Sequence, residues 1–123
     1  MVRRRSPRQV GEQGEQLAAS YLENLGWQIL DRNWRCPDGE LDIVARDDSA
    51  LVFVEVKCRS GRGYGHPLEA ITYRKAAKLR ALARCWLRSN ASWAPQVRID
   101  AVGVLLPRVG APELTHVRGV QPW

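Results

Sequence analysis

The sequence predicts an α/β domain: a helix, a three-stranded antiparallel meander, a second helix and one or more further strands, forming a mixed central sheet flanked by helices. Apolar residues recur at three- and four-residue spacing in residues 10–25 and 67–90, as in amphipathic helices. Between them the pattern alternates as in strands. Leu51–Val56 is almost wholly apolar and rich in β-branched residues, which indicates a central strand buried on both faces.

Composition limits the class of protein. The chain of 123 residues suits one domain, predicted over residues 10–123 after a disordered basic arm over residues 1–9. Nineteen Lys and Arg against thirteen Asp and Glu give a net charge of +6, which favours a polyanionic partner. Three cysteines without C-x-x-C spacing argue against disulfides or a zinc site and favour the cytoplasm. No apolar run approaches about 18 residues, so no membrane association is expected.

The first helix is predicted over Val10–Leu25 and ends at Gly26. At about 100° per residue, Glu15 falls at the edge of the apolar stripe, nearly in line with Ala18 and Leu22. Two interpretations of Glu15 stay open. It is either an acid that faces the sheet or a charge favoured near the helix N-terminus by the macrodipole.

A first strand over Trp27–Trp34 and a loop over Arg35–Asp38 follow, and then a hairpin over Gly39–Lys57. Two turn residues, Asp48 and Ser49, separate its strands.

This hairpin brings two acids together. If the two turn residues form a two-residue loop, Asp42 lies directly opposite Glu55, and Lys57 shares their face. A slip of one residue would put the carboxylates on opposite faces. Carboxylates this close in an apolar sheet repel each other and lose hydration unless a cation lies between them.

The opposed acids favour a hard divalent cation, Mg²⁺ or Mn²⁺, held by Asp42 and Glu55 and otherwise by water and phosphate oxygens. Lys57 would polarise a water or stabilise negative charge on a phosphate. In the alternative interpretation Glu55 forms an ion pair with Lys57, and Asp42 caps a strand end near solvent. The position of Glu55 inside V-F-V-E-V argues against a solvated face and favours the metal site.

The loop after the hairpin, C-R-S-G-R-G-Y-G-H-P, lacks the G-K-[S/T] ending of a P-loop. Arg59 and Arg62 in this loop are suited to phosphate, and Tyr64 is suited to stacking on a base. A connector without a binding role is the alternative.

The second helix is predicted over Pro67–Asn90. Arg74 and Lys78 lie away from its apolar stripe, as solvated charges or phosphate contacts would. Lys75 projects with the stripe toward the sheet. It is either a snorkelling lysine or a second cation near the metal site.

The chain is predicted to end with a strand over Gln96–Leu106 and an edge strand over Leu114–Val120. Asp100 is expected to have a structural role, bonded to Arg98 or to a neighbouring loop. His66 and His116 stand without ligand spacing.

The predicted order of elements, with Asp42 and the E-V-K of Glu55–Lys57 on adjacent strands, resembles the PD-(D/E)XK, or restriction-endonuclease-like, nuclease superfamily. The arrangement is similar to that of archaeal Holliday junction resolvases. The motifs G-E-x-G-E, L-x-x-x-G-W, G-E-L-D-I-V and F-V-E-V-K-x-R look more closely like the bacterial YraN-like family. The resemblance covers roughly residues 11–105. Leu41 replaces the superfamily's Pro, and Arg59 stands where several resolvases carry Ser or Thr.

The resemblance implies a restriction-endonuclease-like core and a Mg²⁺-dependent endonuclease acting on DNA, including branched or structured DNA. It makes Asp42 and Glu55 metal ligands, Lys57 the catalytic lysine and Glu15 a further acid of the metal site. A non-catalytic nucleic-acid-binding module and a protein-interaction domain are the alternatives. A homodimer would suit symmetric cleavage of two strands.

Overall fold

The computed structural model, which describes residues 5–61 and 65–120, contains two α-helices and five β-strands in those residues. In chain order they are α1 (Pro7–Asn24), β1 (Gln28–Cys36), β2 (Gly39–Asp47), β3 (Ala50–Arg59), α2 (Tyr73–Ser89), β4 (Gln96–Leu105) and β5 (Glu113–Val117). The strands form one sheet in the order β1-β2-β3-β4-β5, in which only β3 and β4 pair in parallel. This α/β architecture has the predicted restriction-endonuclease-like core.

The two helices pack against two separate apolar clusters, one on each face of the sheet. Alternation along β3 supplies both clusters: Val52 and Val54 pack on the α1 side, whereas Leu51 and Phe53 pack on the α2 side. All residues of Leu51–Val56 are buried, as predicted for a central strand. Neither helix of the described ranges has the length and apolar character needed to cross a bilayer.

Helix α1 begins at Pro7, three residues before the predicted start. Ser6 Oγ accepts a hydrogen bond from Gln9 N (3.2 Å), and Ser6 N donates to Gln9 Oε1 (2.8 Å). This capping box, with Pro in the first turn, stabilises a start that apolar periodicity cannot reveal. The basic residues 1–4 of the predicted arm lie outside the described residues.

The predicted start of the second helix at Pro67 is wrong. Residues 67–70 form a short 3₁₀ helix, after which Ile71 is extended (φ −92°, ψ 101°). Thr72 then caps α2 by accepting a hydrogen bond from Lys75 N at 3.2 Å. The later start puts Lys75 in the first turn of α2.

The register of the β2–β3 hairpin is the predicted one. Asp48 and Ser49 form the two-residue loop, and Asp47 pairs with Ala50. Asp48 has a φ of 57°, a left-handed conformation that Asp tolerates better than most residues. The ladder continues from this turn to the pair Ile43–Val54.

The ladder stops after that pair, although Asp42 and Glu55 would form the next pair in this register. The carboxylate of Asp42 accepts a hydrogen bond from Val56 N, with Oδ2 2.8 Å from the nitrogen. The Asp42 side chain therefore replaces the β2 backbone as the partner of Val56, and only the β2–β3 ladder ends here, because β2 remains paired with β1 and β3 with β4.

Candidate active site

A cleft of about 430 Å³ opens where the pairing between β2 and β3 ends. Its wall is formed by β2, β3 and α2. The charged residues of the lining are Glu40, Asp42, Glu55, Lys57, Lys75 and Lys78. The fold thus brings Asp42, Glu55 and three lysines from two distant segments around one opening, whereas Glu15, the third predicted acid, is not part of the lining.

Asp42 and Glu55 both line this cleft, and the charge of Asp42 acts on Glu55. The Glu55 side chain is only 7% exposed although it lies just beyond the last pair of the β2–β3 ladder. Burial raises the pKa of Asp42. Burial and the charge of Asp42 together raise the pKa of Glu55 to about 7. A hydrogen bond joins the two carboxyl groups, so the pair retains a proton near neutral pH when no cation is bound.

Two lysines approach the same oxygen of Glu55. Lys57 Nζ lies 3.8 Å from Glu55 Oε1, and Lys75 Nζ lies 3.9 Å from it. Both ammonium groups lower the pKa of Glu55, but burial and Asp42 outweigh them. Of the two interpretations of Lys75, its position matches a second cation beside the acids. Lys57 projects from β3 two residues after Glu55, on the same face.

Glu15 of α1 is a third acid near this pair. Its Oε1 atom is buried and has no hydrogen-bond partner among the described residues. Burial, and after it the charge of Asp42, raises the pKa of Glu15, while Arg32 opposes the shift. Of the two interpretations of Glu15, the structure therefore matches an acid that faces the sheet.

A glycine allows α1 to come this close. A Cβ atom built on Gly14 would lie 2.6 Å from both Cβ and Sγ of Cys58 on β3. Only a residue without a side chain permits this separation, and the next residue along the helix is Glu15.

Several predicted nucleic-acid contacts lie away from the cleft. Arg59 ends β3 and does not line the cleft, and its Nε atom is buried without a hydrogen-bond partner in the described part of the chain. Arg74 is exposed on α2, also outside the lining. Arg62 and Tyr64 lie outside the described residues. Lys75 and Lys78 are the predicted contacts that the cleft includes.

A second polar cluster, built around Asp100, lies under α1. His116 Nε2 donates to Asp100 Oδ2 at 2.8 Å, and the Tyr21 hydroxyl lies 3.0 Å from His116 Nδ1. Arg98 contacts both oxygens of Asp100 and also Asp47. The structural role expected of Asp100 is confirmed, whereas the participation of His116 was not visible in the sequence.

The sequence profile of the uncharacterised protein family UPF0102 matches residues 14–104. UPF0102 proteins of Beutenbergia cavernae and Streptomyces griseus are similar to this chain, with 54% identity over 111 residues and 53% over 112. Each of these two matches covers 90% of this chain and 94% of the relative. A UPF0102 protein of Paenarthrobacter aurescens is 51% identical over 120 residues, which cover 98% of this chain and 99% of that protein. The chain belongs to the UPF0102 family, the YraN-like family that its motifs resemble.

Proposed function

We propose that this protein is a metal-dependent endonuclease that hydrolyses phosphodiester bonds of DNA. The observation that carries the proposal is the cleft in which Asp42 and Glu55, two acids with raised pKa values, lie beside two lysines. Burial and the charge of Asp42 also raise the pKa of Glu15, a third acid outside the cleft lining. Acids with perturbed pKa values that group in a cleft are typical of functional sites.

The donor set fits a hard divalent cation. Asp42 and Glu55 offer carboxylate oxygens in the cleft, the ligands that Mg²⁺ and Mn²⁺ prefer, whereas Glu15 lies outside the cleft lining and would act through a metal-bound water. Glu15 Oε1 is buried with no hydrogen-bond donor among the described residues, an arrangement that a cation or its water would satisfy. When bound, such a cation supplies Lewis-acid stabilisation of negative charge on a phosphoryl oxygen.

The residues of the chain supply the remaining functions. Lys57 and Lys75 hold ammonium groups on one side of Glu55, where they stabilise charge that develops on a phosphate. Glu15 Oε1 is available to accept a hydrogen bond from an attacking water and to take its proton, because a raised pKa makes a carboxylate more basic. Lys78, exposed at the rim of the cleft, binds the phosphate backbone.

DNA is the proposed substrate because the helix that supplies two lysines to the cleft is also basic outside it. Helix α2 carries exposed basic residues beyond its cleft lysines: Arg74, Arg80, Arg84 and Arg88. Side chains of this kind bind the DNA backbone without reading its sequence. Replacing Arg74, Lys78 and Arg84 with Gln should weaken binding similarly for all sequences. The slope of log affinity against log salt concentration should also fall by about one for each cationic side chain replaced.

Cleavage assays test the proposal. Supercoiled plasmid, linear duplex and four-way junction DNA are incubated with the protein in Mg²⁺ or Mn²⁺. We expect Asp42→Asn and Glu55→Gln to lose cleavage while retaining DNA binding. Asp48→Asn, which removes an exposed acid in the turn of the same hairpin, is the matched control and should cleave like wild type.

The alternative is a nucleic-acid-binding module that does not cleave. Its support is that Asp42 and Glu55 are compensated without a cation, by a shared proton and two nearby lysines. Salt-sensitive DNA binding without cleavage of any of the three substrates would select this function over the endonuclease.

A further inference from the structure

Three ligand-type side chains meet where the β1–β2 turn contacts α2. The sulfur atoms of Cys36 and Cys85 and a carboxylate oxygen of Asp38 all lie within 4.8 Å of one another. Cys36 ends β1, Asp38 lies in the turn before β2, and Cys85 lies on α2. The two cysteines are far apart in the sequence, so no motif spacing reveals the cluster.

The three side chains lie close together because the β1–β2 turn packs tightly against α2. A Cβ atom built on Gly39 would lie 3.4 Å from Leu82 Cδ1 and 3.5 Å from Lys78 Cε. Gly39 has a φ of 149°, which few side chains tolerate. The turn is therefore held against the helix one turn before Cys85.

We propose that Cys36, Asp38 and Cys85 bind a thiophilic divalent cation, Zn²⁺, with a water as fourth ligand. In a tetrahedral zinc site the ligand atoms lie about 3.5–3.8 Å apart, from Zn–S bonds of about 2.3 Å and Zn–O bonds of about 2.1 Å. A contraction of at most about 1.3 Å from a separation of 4.8 Å brings the three atoms to that spacing. Rotation of the exposed Asp38 side chain and of the half-buried cysteine side chains supplies this contraction.

The charges around the cluster are compatible with a bound zinc ion. Two thiolates, one carboxylate and Zn²⁺ together leave one net negative charge. Arg88 Nη2 donates to Cys85 Sγ at 3.6 Å and compensates that charge. Two soft sulfur ligands also distinguish this site from the all-oxygen cleft, which suits Mg²⁺.

Two neighbouring cysteines can also form a disulfide bond. All three cysteines of the chain are free thiols here. A carboxylate beside two sulfurs contributes nothing to a disulfide, whereas it completes a three-ligand set for zinc. Asp38 therefore favours a metal site over a redox pair.

A bound cation would fasten the β1–β2 turn to α2. Asp42 follows that turn on β2, and Lys78 lies on α2 two turns before Cys85. The zinc site would thus rigidify the rim of the cleft without contributing a ligand to it. Zinc binding at this position does not require the protein to be an endonuclease.

Titration of the reduced, metal-free protein with Co²⁺, a spectroscopic substitute for zinc, tests the site. We expect one equivalent to produce a thiolate-to-cobalt charge-transfer band together with tetrahedral ligand-field bands, and Zn²⁺ to displace both. Cys36→Ser and Cys85→Ser should lose these bands. Cys58→Ser, the matched control for a thiol outside the cluster, and Asp42→Asn should retain them.

Stability provides a second measurement. Zn²⁺ should raise the melting temperature of wild type and of Cys58→Ser, but not of Cys36→Ser or Cys85→Ser. Asp38→Asn should weaken Co²⁺ binding and shift it to higher metal concentration. The proposal is overturned if wild type gives no charge-transfer band. A Cys36–Cys85 disulfide formed in air by protein that binds no Co²⁺ when reduced would also overturn it.

Discussion

The sheet buries acidic side chains in two places, and their hydrogen bonding differs sharply. Asp100 is fully buried and accepts four hydrogen bonds, two from Arg98 and one each from His116 and the backbone of Gly119. Burial acts to raise the pKa of Asp100. Hydrogen bonds from His116 and Arg98 nevertheless hold that pKa below its usual value.

Asp42 and Glu55 in the cleft have fewer hydrogen-bond donors around them than Asp100 has. Asp42 accepts one backbone hydrogen bond, from Val56, and the lysine nitrogens remain 3.8 and 3.9 Å from Glu55, beyond hydrogen-bond distance. The pKa values of the pair are accordingly raised rather than lowered. The fold can satisfy a buried acid with protein groups, as it does at Asp100, but in the cleft it leaves coordination capacity for a ligand.

The largest expected effect concerns Asp100. Asp100→Asn leaves Arg98 without its main partner, so we expect a loss of about 3 kcal/mol in the free energy of unfolding. Asp42→Asn removes the charge that helps to raise the pKa of Glu55 and should leave the metal-free protein unchanged or more stable. Urea denaturation measures both variants. Equal losses in the two variants would contradict the contrast between the two regions.

The second effect is a pH dependence carried by Glu55. Its pKa is raised from 4.5 to about 7 on folding, so the folded state binds more protons between those values. The contribution of Glu55 to the free energy of unfolding is complete at acidic pH and is lost as the pH rises through about 7. We expect the metal-free protein to lose about 2 kcal/mol from this group between about pH 5 and about pH 8.

Glu55→Gln should remove this decline, which urea denaturation at several pH values would detect. Asp100 provides the internal contrast, because its lowered pKa makes its contribution constant above the unfolded value of 3.8. Stability that does not fall between mildly acidic and mildly alkaline pH would argue against a raised pKa at Glu55. Added Mg²⁺ should stabilise the protein more at higher pH, because the cation competes with the proton.

A smaller effect tests the outer part of the Asp100 network. Tyr21→Phe removes the hydroxyl that lies 3.0 Å from His116 Nδ1 and should lower the free energy of unfolding by about 1 kcal/mol. Tyr73→Phe is the control, because Tyr73 is 59% exposed on α2. The same loss in both variants would mean that the network contributes nothing specific.

The smallest effect on stability is expected at Lys57. Lys57→Ala should cost less than about 1 kcal/mol, because the ion pair is long and a third of the lysine side chain is exposed. Lys75 also remains beside the same oxygen. Thermal melts in saturating Mg²⁺ measure the change, and cleavage should be lost in the same variant. A loss of several kcal/mol would give Lys57 the structural role that Arg98 has.

Local patterns carried most of the predictions that the structure confirms. The hairpin register depends on Asp48 and Ser49 and on alternation in adjacent strands, so it is encoded within a short stretch. The direction of Lys75 follows from the apolar stripe of its own helix.

Contacts between distant segments escaped sequence reasoning. His116 reaches Asp100 only because β5 pairs with β4. Cys36 meets Cys85 only because the β1–β2 turn packs on α2. The predicted start of α2 was also wrong. Pro67 is compatible with the first turn of an α-helix, but it begins a short 3₁₀ helix, and α2 begins only after the cap at Thr72.

The hydrogen bond from Val56 N to Asp42 provides a built-in spectroscopic reporter. Backbone amides of β3 from Ala50 to Val54 are protected by neighbouring strands, so their exchange with solvent reports on opening of the sheet. The amide of Val56 is instead held by a titrating carboxylate. Its proton chemical shift and exchange rate should therefore follow the ionisation of Asp42 and the arrival of a cation, in a single nitrogen–proton correlation spectrum.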